Sequence, residues 1–148
     1  MKISKFVISA AVVGALALTA AGYAVAQQAM VPKPVEYRQK MMQSLSAHLG
    51  GIFSNLKGEV NAKGNIAHHV AALNATAQSI ALVFEPGSEG GKTKPEAWAE
   101  KDKLMAAAKA LSDATAKLAA ASGDQIGAAA GDVGKACGGC HTPYRVQQ

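Results

Sequence analysis

The chain of 148 residues has only two cysteines, and both fall in one run, Cys137-Gly138-Gly139-Cys140-His141. On a helix, positions i, i+3 and i+4 project from one face, so two thiols and an imidazole would emerge together. A C-x-x-C-H run of this kind predicts covalent attachment of c-type haem. Cys137 and Cys140 would form thioethers with two haem vinyl groups while the His141 imidazole reaches the iron from the proximal side. The two glycines between the cysteines leave the macrocycle edge unobstructed. Other uses of the cluster fit less well. A disulfide closing so short a loop constrains little. A thioredoxin-like redox pair belongs in a βαβ context, and no run of alternating β-branched residues appears. Zinc would require further ligands; His48, His68 and His69 are available, but there is no second cysteine pair.

The elements that must position this cluster read as helices. Val35, Met42, Leu45, Leu49, Ile52 and Leu56 recur at steps of three, four and seven, one side of a 3.6-period helix. Pro32 and Pro34 mark its start and Gly58 its end. A second stripe runs Ile66, Val70, Leu73, Ala77, Ile80 and Phe84, stopped by Pro86-Gly87. After a loop over residues 85–94, Thr93 is expected to cap a third helix with Pro95 and Glu96 in its first turn. That helix carries Trp98, Met105, Ala108, Leu111, Thr115 and Leu118. Ser122-Gly123-Asp124 precedes a fourth stripe: Ile126, Ala130, Val133, Cys137, Cys140, His141 and Tyr144. Four amphipathic helices with short connections predict an all-α fold, an antiparallel four-helix bundle with covalently bound haem. Glycines inside these helices, as at Gly50-Gly51 and Gly131, mark places where something approaches the backbone.

Composition agrees. Hydrophobic residues make up 49% of the chain but aromatic ones only 5%, so an alanine-rich bundle lacks bulk that a macrocycle would supply. Lys2 and Lys5, the apolar stretch from Phe6 to Ala21 and the small-x-small run Ala24-Val25-Ala26 predict a cleaved signal peptide over residues 1–26, with the working domain at 27–148. Removing 26 residues from 148 leaves 122, and losing two lysines takes the net charge from +5 to +3. A balance that mild, with its basic residues dispersed, excludes a nucleic-acid partner. Export implies the periplasm, with no membrane association after cleavage. No Ser/His/Asp arrangement and no G-x-x-x-x-G-K loop supports an enzyme.

Several further segments resemble the class II c-type cytochromes, the group containing cytochrome c′ and cytochrome c-556. Tyr37-Arg38-Gln39 followed by Met42 is similar to the family's N-terminal pattern, and Lys57-Gly58-Glu59 fits the end of its first helix. Pro86-Gly87 and Lys94-Pro95-Glu96-Ala97-Trp98 fit the segment from Phe84 to Trp98. Gly134-Lys135-Ala136-Cys137 through Tyr144-Arg145 matches the C-terminal signature. The placement of the haem motif close to the C-terminus is itself distinctive.

The resemblance implies one haem c held between the helices near one end of the bundle, with Met42 at the position that governs the sixth coordination site. A thioether there gives His/Met ligation, which raises the reduction potential. The expected function is then a periplasmic one-electron carrier, as in cytochrome c-556. The alternative is a five-coordinate cytochrome c′, in which Met42 blocks the distal face without ligating and nitric oxide or carbon monoxide binds there. Met41, about 100° around the helix, is the lesser candidate. Arg38 and Arg145 are implied contacts of the haem propionates or haem edge. Tyr37 and Trp98 are expected to serve packing. His48 is expected at the surface or partly buried, and at most one of His68 and His69 faces the core. The expected partners are redox proteins, with a homodimer as one state open to a bundle of this size.

Overall fold

The computed structural model describes residues 31–147, so the signal peptide expected over residues 1–26 lies outside the described residues. The first helix, α1, spans Lys33–Leu56. Pro32 precedes it and Pro34 sits in its first turn, where a missing N–H costs nothing. At its end Gly58, at φ 73°, adopts the left-handed conformation that glycine takes without strain. Gly58 N–H donates to Asn55 O and Glu59 N–H to Ser54 O, the paired bonds of a Schellman motif.

A single 3₁₀ turn over Lys63–Asn65 leads into α2, Ile66–Gln78. The second helix was expected to continue to Phe84. Its α-helical part instead stops at Gln78 and tightens into a 3₁₀ turn over Ile80–Val83. Ser79 causes the change: its N–H and its hydroxyl both donate to Thr76 O, an i→i−3 pattern that competes with the i→i−4 ladder. Ile80, Val83 and Phe84 are buried all the same, because the tighter turn carries the apolar stripe onward.

The third expected helix is likewise divided, into a one-turn α3 at Glu96–Ala99 and α4 at Lys101–Ala120, with a break at Glu100 (φ −106°, ψ 46°). Thr93 does not cap it. The Thr93 hydroxyl accepts instead from the Arg38 guanidinium, and a charged donor outcompetes a backbone N–H for that oxygen. The last helix, α5, spans Gln125–Tyr144.

Helix α1 packs on α2, α2 on α4, and α4 on α5, while α1 and α5 approach each other more sparingly. The fold is all-α, a four-helix bundle with no strand among the described residues. Its centre is filled by Ile52, Leu73, Ile80, Leu104, Leu118 and Val133, each at most 2% exposed. The predicted stripes supply most of this core, with four departures. Leu56, in the last turn of α1, is 41% exposed, while Val83, Ala97 and Leu104, outside the predicted stripes, are buried. Truncating Leu73, buried on the helix that packs on both α1 and α4, leaves a cavity in the core. Leu73→Ala is expected to destabilise the protein by about 2–5 kcal/mol, read as a lower denaturant midpoint with the m-value unchanged.

Candidate functional site

The gap between α1 and α5 is the site. Cys137, Cys140 and His141 occupy the C-terminal half of α5, where each is half-buried. The helical spacing brings the three to one side, as predicted, and the two thiols are free. A Cβ added at Gly138 or Gly139 would meet nothing within 4 Å, so the interval between the cysteines is open.

Two adjoining cavities, of about 380 and 390 Å³, lie against this face. Six residues line both: Met42, Ser46, Phe84, Cys140, His141 and Arg145. The second cavity has an apolar wall that includes Leu45, Leu49, Phe53, Ile80 and Leu111, and it reaches Cys137. The first is bordered by Arg38, Lys92 and Arg145. An apolar slot with a cationic rim matches a flat apolar ring that carries two carboxylates. Gly50 lines the apolar cavity, so one of the glycines flagged in the sequence does open the backbone to this space.

The end of α5 is anchored by the loop before α3. Lys94 N–H donates to Tyr144 O, Lys94 Nζ to Pro143 O, and Val146 N–H to Lys92 O. Tyr144 is buried, and its hydroxyl donates to the Glu100 carboxylate at 2.9 Å. These bonds hold the last turn of α5, and His141 with it. Burial, followed by the nearby Arg145 charge, lowers the His141 pKa and favours the neutral imidazole, the form that ligates metal. Burial raises both thiols, Cys140 further through its neighbour Cys137.

Arg38 is 3% exposed. Its Nε and Nη2 donate to Ser88 O, Nη2 also to Gly90 O, and Nη1 to Thr93 Oγ1. Its guanidinium lies 5.4 Å from the Trp98 ring centre and 5.8 Å from that of Phe84. Burial lowers its pKa, with Glu89 acting in the opposite sense. Gly91, at φ 63°, lets the loop lie against α1: a Cβ there would fall 2.8 Å from Gln39 Nε2. Arg38 therefore ties α1 to the loop that borders the cavity. Arg38→Lys keeps the charge but not the planar fork, so a single ammonium nitrogen cannot reach Ser88 O, Gly90 O and Thr93 Oγ1 together. A loss of about 2–3 kcal/mol is expected in denaturant unfolding.

The other residues named from the sequence fall apart from the cavities. Met41 packs on the core but lines neither. Trp98 is half-buried against Phe84, with ring centres 6.2 Å apart, and its indole N–H is buried without a partner. Tyr37, expected to pack, is 57% exposed, because Val35 and Arg38 take the inward register of α1. His48 and His69 are half-buried and His68 is exposed, as expected. Ser46 and Lys92 were not singled out from the sequence. Ser46 had a signal, since it lies one turn beyond Met42; Lys92, on a loop, had none.

A helical bundle with a C-terminal Cys-x-x-Cys-His run facing an apolar slot defines a haem-c protein of the class II type. The family model described as Cytochrome C′ matches residues 33–145. Cytochrome c′ of Alcaligenes xylosoxydans xylosoxydans is 33% identical over 77% of this chain and 94% of its own length. Cytochrome c-556 of Agrobacterium tumefaciens (strain II Chrys) is 32% identical over 77% and 98%. Among solved structures, a ferrous variant of cytochrome c prime from Alcaligenes xylosoxidans with bound NO superposes with a TM-score of 0.71. It is 31% identical, over 78% of this chain and 94% of that one. The chain belongs to the cytochrome c′ family. Its cofactor is accordingly covalent haem c, and the apolar wall and cationic rim of the slot between α1 and α5 fit that group.

Proposed function

We propose that the protein is a monohaem one-electron carrier with His141 and Met42 as axial ligands. The observation that carries this reading is the wall of the two cavities: Met42 of α1 and His141 of α5 line both. Met41 and His48, the nearest alternatives on α1, line neither. When bound, the haem supplies a reversible one-electron couple. The chain's own part is to hold the group and shield it from water. Cys137 and Cys140 attach it, the neutral His141 imidazole ligates it, and Leu45, Leu49, Phe53 and Phe84 dry its faces. Arg38 and Arg145, at the rim, offset the propionate charge. Met42, unbranched and soft, would supply its thioether sulfur as the second iron ligand. A saturated coordination shell changes little on electron transfer, which suits a carrier rather than an enzyme.

This reading includes export to the periplasm after loss of residues 1–26, with 27–148 as the working chain. Among the described residues no helix is long and apolar enough to cross a membrane. Its partners are redox proteins, and a homodimer is one assembly compatible with the bundle.

A second reading is a five-coordinate site at which nitric oxide or carbon monoxide binds. It draws support from the structural likeness to cytochrome c prime of Alcaligenes xylosoxidans, whose structures include nitric oxide and carbon monoxide complexes. Optical and spin-resonance spectra of the ferric holoprotein separate the two. Low-spin iron with a methionine charge-transfer band is expected, and a high-spin spectrum would overturn Met42 ligation in favour of the gas-binding site.

A further inference from the structure

Six residues beyond Met42 on α1, His48 meets His69 of α2. Their Nδ1 atoms lie 3.2 Å apart, with ring centres at 5.5 Å and planes inclined by 56°. Neither ring lines the haem cavities. Room for His69 is made by Gly51, where a Cβ would fall 2.7 Å from its Nε2 and 2.8 Å from its Cε1. This glycine, unlike Gly50, has nothing to do with the slot. It lets an imidazole lie against the α1 backbone with its Nδ1 turned toward His48.

Two facing imidazole nitrogens share a proton or a metal ion. With metal–nitrogen bonds of about 2.0–2.1 Å, neighbouring ligand nitrogens in square-planar or tetrahedral geometry stand about 2.9–3.4 Å apart. The observed 3.2 Å falls in that span. Two packed helices set the separation before any ion arrives, which reduces the ordering cost of binding. Both rings are only half-buried, so an ion has access. Among the described residues no set of three or more His, Cys, Asp or Glu is placed to hold a metal. Water must therefore complete the shell, and the oxygen-seeking ions Mg²⁺ and Ca²⁺ find no carboxylate cage.

We propose that His48 and His69 form a two-imidazole site for a divalent transition metal, with Cu²⁺ preferred over Zn²⁺, that fastens α1 to α2. The ring that carries the shared Nδ1 proton takes it at Nε2 instead as the ion binds, exchanging it through solvent, so that both ligands are neutral imidazoles. The site is separate from the haem and stands whether or not Met42 ligates.

Equilibrium dialysis of the holoprotein against Cu²⁺, then Zn²⁺, tests it. One Cu²⁺ per chain is expected to bind, more tightly than Zn²⁺. His48→Gln and His69→Gln should each weaken binding at least about tenfold, while His68→Gln leaves it unchanged. Unsaturable binding, wild-type affinity in the His48 and His69 variants, or an equal loss in His68→Gln would overturn the proposal. The unmodified chain gives a second measurement independent of any variant. Cu²⁺ should protect His48 and His69, but not His68, from diethyl pyrocarbonate, mapped by mass spectrometry. Absent or indiscriminate protection would overturn the site equally.

Discussion

Met42→Ala is expected to turn a low-spin ferric spectrum into a high-spin one and to give the ferrous protein a strong affinity for carbon monoxide. The methionine sulfur and an incoming gas compete for one face of the haem. Met42 stands in the wall of both cavities beside His141, and its thioether, if bound, must be displaced before a gas can enter. A binding-competent state populated at only about 1% lowers apparent affinity about 100-fold, and alanine removes that penalty. Carbon monoxide affinity should therefore rise by about two orders of magnitude, with a fall in reduction potential as the sulfur ligand is lost. Met42 is only partly buried at the core's edge, so the variant should fold. An unchanged spectrum with unchanged gas affinity would show that the methionine is merely a wall residue. Met41→Ala is the matched control: Met41 packs on the core but lines neither cavity, and its loss should leave the spectrum as it was.

The second large effect concerns attachment. In the doubly substituted Cys137→Ser/Cys140→Ser chain, acid–organic extraction should carry all the haem into the organic phase. With both cysteines present the haem should stay with the polypeptide. If it extracts from the unsubstituted chain too, the thioether assignment fails. Freed of its haem, the same double variant should be much less stable than the unsubstituted holoprotein, because the slot is space that side chains do not fill. Leaving even a third of the 390 Å³ cavity without apolar contact costs about 3 kcal/mol at ~24 cal/mol per Å³. That is a large share of the stability of a domain this size. Serine preserves volume and helix propensity almost unchanged, so a loss of that size would be traced to the missing group rather than to α5 itself.

What the sequence determined was local. Cys137, Cys140 and His141 share a face because helical spacing puts them there, and Pro32, Pro34 and Gly58 bound α1 through backbone geometry that each residue carries with it. The motif therefore named the cofactor before any fold was known, and four apolar stripes were enough to name the bundle.

What tertiary structure decided lay across long separations. The guanidinium of Arg38 reaches oxygens 50 to 55 residues away, and that distant charge is why Thr93 does not cap a helix. Whether Met41 or Met42 lines the slot depends on the rotation of α1 against α5, which a stripe fixes only to within a residue. The breaks at Ser79 and Glu100 arise where local hydrogen bonding departs from a continuous α-helical ladder while packing keeps the stripe buried. His48 and His69, unremarkable apart at 21 positions' separation, become a pair only when α1 lies on α2. Periodicity shows which face of a helix turns inward; only the packed bundle shows what that face meets.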